Sequence, residues 1–342
     1  MPPLLTYLSL LGLLFVSLSV NAVKVPPGLE PGLATNSSVL TPRGVKTGRC
    51  TELDPSIIEK FERQFTLDKQ ALASKLSSVI NHHRRSEGDD QFTPVSNGAL
   101  SPRQSLEKPI DVYVHVISAD SSAANGNVLL SQVREQIDVL NGAFVTPAGR
   151  PYLSFNLAAV DRTVNADWFN NGGPGTPQQD TMKTALRRGG RADLNIYTVN
   201  FQGDWAGLLG YSTFPQSYNG APLDDGVVVL FSTLPGGTTT GYNGGKTTIH
   251  ETGHWVGLYH TFQGSCIGPG DYVEDTMPEG IPSQGCMQGR ATCPLADAAQ
   301  GETDPIHNYM DYSTDACMTE FTAGQMDRAR QQLVHYRGID FH

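Results

Sequence analysis

One run of eleven residues constrains this chain more than any other feature. The segment His250–His260 reads HETGHWVGLYH, which sets three imidazoles and one carboxylate at fixed offsets. On a helix, His250 and His254 would lie about 400° of rotation apart, so both rings project from one face, one turn from each other. Glu251 stands beside this pair. Gly257 permits the positive φ that ends a helix abruptly, which would bring His260 back toward the first two rings.

This arrangement predicts a catalytic zinc site. Three neutral imidazoles leave a fourth coordination position open, as catalytic zinc requires. We therefore predict that the three histidines bind Zn²⁺ and that Glu251 serves as general base toward a metal-activated water. Taken singly, the residues have ordinary explanations, since Thr248 and Glu251 could form a capping box and Gly257 could be a simple helix C-cap. Together, at these offsets, they favour the metal site.

A second motif, NYMDYS over residues 308–313, follows the third histidine. The two motifs together resemble the metzincin clan of zinc peptidases, in which a methionine-containing turn lies beneath the metal. The resemblance implies that Met310 is an apolar floor and not a ligand. It also implies that the Tyr312 phenol donates a hydrogen bond to the developing oxyanion. Both side chains could instead be ordinary core residues.

Within that clan the chain most resembles the pappalysin family, in particular the secreted fungal metalloproteases. The segments that carry this resemblance, besides the two motifs, are LLGYSTFP (208–215), DGVVVLF (225–231), DYVEDTM (271–277) and FTAGQ (321–325). The similarity covers roughly residues 109–342. It implies an α+β metzincin-like fold, with a mixed, mainly parallel twisted sheet, an active-site helix and a loop-rich C-terminal subdomain that carries the Met-turn and disulfides.

The cysteines fit a secreted protein. Four of the five cluster in the C-terminal region, and sequence alone leaves three pairings open. The family resemblance implies the pairs Cys266–Cys293 and Cys286–Cys317, with a structural zinc cluster as the alternative. The fifth cysteine, Cys50, lies far upstream. Its thiolate could occupy the fourth zinc position as a latency switch, or it could be an unpaired thiol without such a role.

The loop Asp271–Thr276 offers several oxygen ligands of the kind that calcium prefers. The family resemblance supports calcium there, with Asp271 and Thr276 as candidate ligands, although the spacing is not that of an EF-hand. A solvated acidic loop is the alternative.

The N-terminal region predicts export and processing. An apolar run from Leu4 to Val20 is typical of a signal peptide cleaved after Ala22, with a membrane anchor as the alternative. Asn36 begins a glycosylation sequon. A helix is predicted from Pro55 to about Ser78, and the dibasic pair at 84–85 is a candidate processing site in an exposed linker. The expected organisation is a signal peptide over 1–22, a pro-segment with linker over 23–108, and a catalytic domain over 109–342.

Periodicity predicts further elements of the catalytic domain. Strands are expected at 110–117, 152–160, 194–199 and 226–231, and helices at 130–140, 178–188 and, after a capping box of Thr322 and Gln325, up to about Tyr336. If the strand 226–231 lies at the edge of the sheet above the cleft, it could bind an extended substrate. It could equally be an ordinary buried strand.

Charge and composition limit the partners. The formal net charge is −10, which argues against a nucleic-acid partner and provides no basic face for acidic membranes. We expect a monomer that acts on protein or peptide substrates, without stable membrane association. The sequence thus predicts a secreted, zinc-dependent endopeptidase made as a latent zymogen. The alternatives are a catalytically silent peptide-binding relative and a zinc hydrolase of non-peptide substrates.

Overall fold

The computed structural model describes residues 54–86, 109–293 and 303–341. The predicted signal peptide, Asn36 and Cys50 lie outside these ranges. Within them, no helix combines the length and apolar character needed to cross a membrane.

A five-stranded sheet forms the centre of the molecule. Its strands are β1 (Ile110–Ser118), β2 (Phe155–Val164), β3 (Leu194–Val199), β4 (Gly210–Ser212) and β5 (Val227–Leu230). They lie in the order β2-β1-β3-β5-β4. All neighbours are parallel except β4 and β5, which are antiparallel. The mixed, mainly parallel sheet is therefore confirmed, because central parallel strands buried on both faces read as apolar runs such as VVVL.

Helices cover both faces of this sheet. The helices are α1 (Pro55–Ser86), α2 (Leu130–Ala143), α3 (Ala166–Asn171), α4 (Pro177–Leu186), α5 (Lys246–Trp255) and α6 (Ala323–Gln332). One core cluster joins β1, β3 and β5 to α2, α5 and α6, with Ile249 and Met326 among its fully enclosed side chains. A second cluster packs Phe169 of α3 and Met182 of α4 on the opposite face. The motif helix α5 is thus clamped between the sheet and the C-terminal segment.

The strand predicted at 226–231 is not an edge strand of the sheet. Strand β5 pairs with β3 on one side and β4 on the other, and Val227, Val228 and Val229 are completely buried. The buried-strand alternative is correct for β5, and the edge strand on this side of the sheet is β4, with β2 at the other edge. Three residues are too few to give a period-two signal, so pattern reading could not find β4.

Several boundaries also differ from the predicted ones. Strand β2 lies at 155–164 where 152–160 was expected, and α1 continues to Ser86 where an end near Ser78 was expected. The dibasic pair at 84–85 therefore lies in the last turn of α1 and not in a linker. The face of α1 that docks is centred on Ile58, Glu62 and Phe65, whereas Leu72 is 65% exposed. A buried glutamate on that face is invisible to a hydrophobic pattern.

The last helix follows its predicted start. The Thr322 hydroxyl accepts a hydrogen bond from the Gln325 amide at 3.1 Å, and the Gln325 side-chain oxygen accepts one from the Thr322 amide at 2.9 Å. This capping box satisfies two of the amides that a helix N-terminus leaves open. The α-helix ends at Gln332, and a wider π-helical turn follows over Leu333–Arg337. The predicted end near Tyr336 lies in that turn.

Candidate metal centre

Helix α5 carries the first two histidines of the motif. It begins at Lys246, after Gly245 takes a positive φ of 81°. Thr248 is therefore an interior helical residue, and the capping-box explanation of Glu251 is wrong. The helix ends at Trp255, and Gly257 turns the chain with a φ of 100°. A Cβ at Gly257 would lie 2.6 Å from Cγ of Gln332, so both the backbone and the packing require glycine there.

The turn brings the third histidine to the first two. Nε2 of His260 lies 3.2 Å from Nε2 of His250 and 3.1 Å from Nε2 of His254. The three rings are 5%, 2% and 2% exposed, respectively for His250, His254 and His260. Three ring nitrogens that converge in a nearly solvent-free site have the chemistry of a zinc ligand set.

Hydrogen bonds on the far side of the rings fix which nitrogen faces the centre. Nδ1 of His250 donates to the Tyr309 carbonyl at 2.7 Å, and Nδ1 of His254 donates to the Leu258 carbonyl at 2.8 Å. A carbonyl can only accept, so in the neutral rings the lone pair resides on Nε2. Burial lowers the pKa of His254 to about 4, and burial together with the neighbouring imidazoles holds the pKa of His260 well below its usual range. These residues therefore fit a divalent zinc ion.

The Met-turn lies directly beneath helix α5. Met310 is fully buried, and a Cβ built on Gly253 would lie 2.3 Å from its sulfur. The turn is held by Asn308, whose side-chain oxygen accepts from the Met310 amide at 2.9 Å and whose amide donates to Gln325 at 2.8 Å. Gly253, between the two helical histidines, is what lets the thioether approach this closely.

Glu251 and Tyr312 face one cavity beside the histidines. Their side chains line it together with His250, Lys246, Asp315 and Leu209 among others. The Tyr312 ring lies 5.7 Å from the His250 ring and 5.1 Å from the His260 ring, centroid to centroid. On the other side of the carboxylate, a Cβ at Gly210 would lie 2.9 Å from Oε1 of Glu251. The β4 edge therefore passes immediately beside the glutamate.

A buried charged network that the sequence did not reveal holds the C-terminal end of α5. Asp225 accepts hydrogen bonds from the Trp255 indole at 3.2 Å and from two guanidinium nitrogens of Arg337 at 3.0 Å. Burial raises the pKa of the Asp225 carboxyl, but the charge and hydrogen bonds of Arg337 outweigh it, so the pKa lies below its ordinary value. Asp225 is part of the DGVVVLF segment, but nothing in its spacing pointed to Arg337.

The loop after the third histidine is cross-linked. Disulfides join Cys266 to Cys293 and Cys286 to Cys317, the pairing that the family resemblance implied, and these cysteines form no zinc cluster. Glu279, inside this loop, accepts a hydrogen bond from Thr261 at 2.7 Å, next to His260. The loop is thereby tied to the metal centre.

The candidate calcium ligands lie close to this region. Asp271 and Thr276 are 4% and 7% exposed, so the oxygens of both side chains are buried. Burial raises the pKa of the Asp271 carboxyl to about 7, despite hydrogen bonds from the Val273 amide and the Thr276 hydroxyl. Carboxylate and hydroxyl oxygens are among the ligands that calcium takes.

Comparison with known proteins matches this geometry. Residues 194–334 match the M43 peptidase family model, described as pregnancy-associated plasma protein-A. An extracellular metalloprotease of Sordaria macrospora is 45% identical over 243 residues, covering 70% of this chain and 79% of that protein.

Two solved structures of mirolysin are also similar to this chain. Mirolysin in complex with a small compound is 28% identical with a TM-score of 0.56, over 67% of this chain and 91% of that one. Mature mirolysin of Tannerella forsythia in complex with a cleaved peptide is 27% identical with a TM-score of 0.53, over 68% and 98%.

Proposed function

Because this chain belongs to the M43 peptidase family, the pappalysins, and is a zinc metallopeptidase, we propose that it is a secreted endopeptidase in which Glu251 is the general base. One observation carries this proposal. The three histidine Nε2 atoms converge beside a cavity that Glu251 and Tyr312 also line. A silent peptide-binding relative would have no need for a buried carboxylate at that position.

Each side chain has a distinct task in peptide hydrolysis. His250, His254 and His260 would hold the zinc ion, which when bound polarises the substrate carbonyl and makes water more acidic. Glu251 takes the proton of the attacking water and passes it to the amine nitrogen of the leaving group. The Tyr312 hydroxyl donates a hydrogen bond to the carbonyl oxygen as that oxygen gains negative charge.

The β4 edge supports peptides as the substrate class. Among the described residues, strand β4 pairs with β5 on one side and with no strand on the other, and Gly210 lies against Glu251. An extended substrate can pair its backbone with this edge and so bring a peptide bond to the carboxylate. A Tannerella forsythia relative has been solved with a cleaved peptide, which is consistent with this mode of binding.

Cleavage of a general protein substrate tests the proposal. Purified, processed protein should cleave casein, and a zinc chelator or Glu251→Ala should abolish the cleavage. Glu135→Ala, an exposed glutamate on α2, serves as the matched control and should leave the rate unchanged. Retained cleavage by Glu251→Ala would refute the assignment of the base.

We further propose that the protein is made as a latent zymogen. A signal peptide over 1–22 would direct secretion, and relatives are named as extracellular metalloproteases. Residues 23–108 would form the pro-segment, with Cys50 as the thiolate that blocks the zinc position. Cys50→Ser should yield a precursor that cleaves substrate before processing, and an equally latent variant would rule out the switch.

The proposal also includes a bound cation and a glycan. Calcium would bind between Asp271 and Thr276, two buried neighbouring side chains that offer oxygen ligands. Asn36 would carry a glycan in the pro-segment, since it begins a sequon in the secretory pathway.

A further inference from the structure

Helix α1 docks on the catalytic region through a narrow buried face. Ile58 is 3% exposed and forms a cluster with Phe214 and Tyr259. Phe65, two turns further along, packs against the rings of His335 and Tyr336 at centroid distances of 5.4 and 5.9 Å. The helix therefore contacts both the region around the metal-binding loop and the C-terminal turn.

A buried charge lies between these two apolar contacts. Glu62 accepts hydrogen bonds from Arg328, at 2.5 Å to Oε1 and 3.2 Å to Oε2, and from the Tyr259 hydroxyl at 2.9 Å. Glu62 and Arg328 are each 8% exposed, and Tyr259 is 2% exposed. An ion pair this deeply buried is strongly coupled, because neither charge can return to water while the helix stays in place.

The partners of Glu62 hold the loop that carries the third histidine. Nε of Arg328 donates to the Gly257 carbonyl at 3.0 Å, and its guanidinium lies 4.9 Å from the centroid of the Tyr259 ring. Gly257 is the turn of the motif, and Tyr259 directly precedes His260. Phe214, in the same cluster, lies 5.0 Å from the His254 ring. Glu62 therefore contacts the metal-binding loop directly through Tyr259 and indirectly through Arg328.

Helix α1 does not act as a plug of the catalytic cavity. Among the described residues, those that line the cavity beside Glu251 fall between 209 and 318, and α1 contributes none. It contacts Tyr259, Arg328 and His335 instead, none of which lines that cavity. Removing α1 would break the ion pair with Arg328 and expose the apolar surface of Phe214 and Tyr259 that Ile58 covers, so undocking is unfavourable.

We propose that α1, although it lies within the proposed pro-segment 23–108, is an integral part of the folded peptidase and stays docked after the chain is cut between residues 86 and 109. Glu62 is then a positioning residue for the loop Gly257–His260. The positioning role of Glu62 rests on the proposed zinc site, whereas the docking of α1 does not. Cutting the linker would then not release Cys50. Release would require a cut ahead of Asp54, where the helix begins.

Retention of the helix can be measured on the full-length chain. A site-specific protease sequence is placed within residues 87–108, the chain is cut, and the products are separated by size-exclusion chromatography and identified by mass spectrometry. The α1 fragment should co-elute with the catalytic region in the wild type and in Asp68→Asn, and should separate in Glu62→Ala. Asp68 is the matched control, because it bonds His335 at 3.1 Å from the same helix but does not reach the metal-binding loop.

Two outcomes would overturn the docking proposal. Separation of the wild-type fragment upon cutting is one, and co-elution of the Glu62→Ala fragment to the wild-type extent is the other. Should Glu62→Ala not fold, Glu62→Gln keeps the shape and loses the charge. Its fragment should separate more readily than that of the wild type, and equal retention would contradict the role of the ion pair.

Zinc release tests the positioning role separately. The uncut, zinc-loaded chain is mixed with a chromogenic chelator, and the rate of zinc transfer is followed. Circular dichroism confirms that Glu62→Ala and Asp68→Asn are both folded.

The two measurements separate the two ideas. A wild-type release rate in folded Glu62→Ala would exclude the positioning role. A wild-type chain that takes up no zinc would refute the proposed metal site, and the chromatography would still decide whether α1 stays docked.

Discussion

The role that we propose for Tyr312 differs from that of the histidines, because it depends on charge that develops only during the reaction. Its ring lies 5.1 Å from the His260 ring and lines the same cavity as Glu251. A hydroxyl that stabilises an oxyanion acts on the transition state and little on the bound substrate. Its contribution should therefore appear in kcat and not in KM.

Replacing Tyr312 by Phe tests this role. We expect kcat to fall by about 10²-fold, as for the loss of one oxyanion donor, with KM and zinc content nearly unchanged. Tyr113→Phe, on strand β1, is the control and should keep full activity. An unchanged kcat in Tyr312→Phe would show that the tyrosine is an ordinary core residue.

Asp271 makes stability depend on pH in a defined direction. Its pKa in the folded protein is about 7, above the ordinary value of 3.8, chiefly because of burial. The unfolded chain therefore releases this proton at lower pH than the folded protein does. Between about pH 4 and 7 the folded state binds more protons, so the contribution of Asp271 to stability declines as pH rises. A cation that neutralises the carboxylate would offset this loss above pH 7.

Thermal melting at two pH values measures both effects. In chelator, Asp271→Asn should raise the melting temperature at pH 8 more than at pH 5. Calcium should stabilise the wild type at pH 8 and leave Asp271→Asn unaffected. Asp275→Asn should keep the calcium response, because Asp275 accepts hydrogen bonds from Thr322 and Gly324 at the start of α6. A calcium response in Asp271→Asn would rule out this ligand.

At the scale of elements, helix α5 shows how packing overrides local preference. Alanine in a helix interior is favoured over glycine by about 1 kcal/mol. At Gly253, however, the added Cβ would lie 2.3 Å from the sulfur of Met310, which is completely buried and cannot move into solvent. Overpacking of this kind costs about 1–3 kcal/mol, so the packing term should win.

A matched pair of substitutions separates the two effects. Gly253→Ala should destabilise the protein by up to about 2 kcal/mol in denaturant unfolding. Gly142→Ala, in helix α2, should stabilise it by up to about 1 kcal/mol, because its added Cβ would have nothing within 4 Å. If Gly253→Ala were as stable as the wild type, the Met-turn would have to shift to accommodate the added methyl group.

At the scale of the whole molecule, the two disulfides stabilise a region with little regular structure. They close segments with sequence separations of 27 and 31 residues. Closing a loop of this size lowers the entropy of the unfolded chain, which raises the free energy of unfolding by about 3–4 kcal/mol for each bond. The bond Cys286–Cys317 also ties the loop to the chain just after the Met-turn.

Removing one bond at a time should reveal this stabilisation. Replacing both cysteines of either pair by serine should lower stability by about 3 kcal/mol, or the melting temperature by roughly 6–12 °C. Differential scanning calorimetry of each double variant measures it. A melting temperature unchanged in both would show that the loop is held by its hydrogen bonds alone.

Much of the centre could be predicted from sequence because it is local. Two histidines one helical turn apart, and a glycine that turns the chain, determine their mutual geometry within eleven residues. The apolar strands and the capping box of α6 are equally local signals. Strand β4 has no such signal, since three residues cannot show a period.

The tertiary structure alone decided which distant groups meet. Glu62 pairs with Arg328, 266 residues later, and Asp225 with Arg337, 112 residues later. A charge is ordinarily expected at the surface, and only the fold brings a partner that makes its burial tolerable. The sequence by itself therefore determined the metal-binding chemistry, whereas the structure decided what holds the metal-binding loop in place, because that depends on contacts between segments remote in the chain.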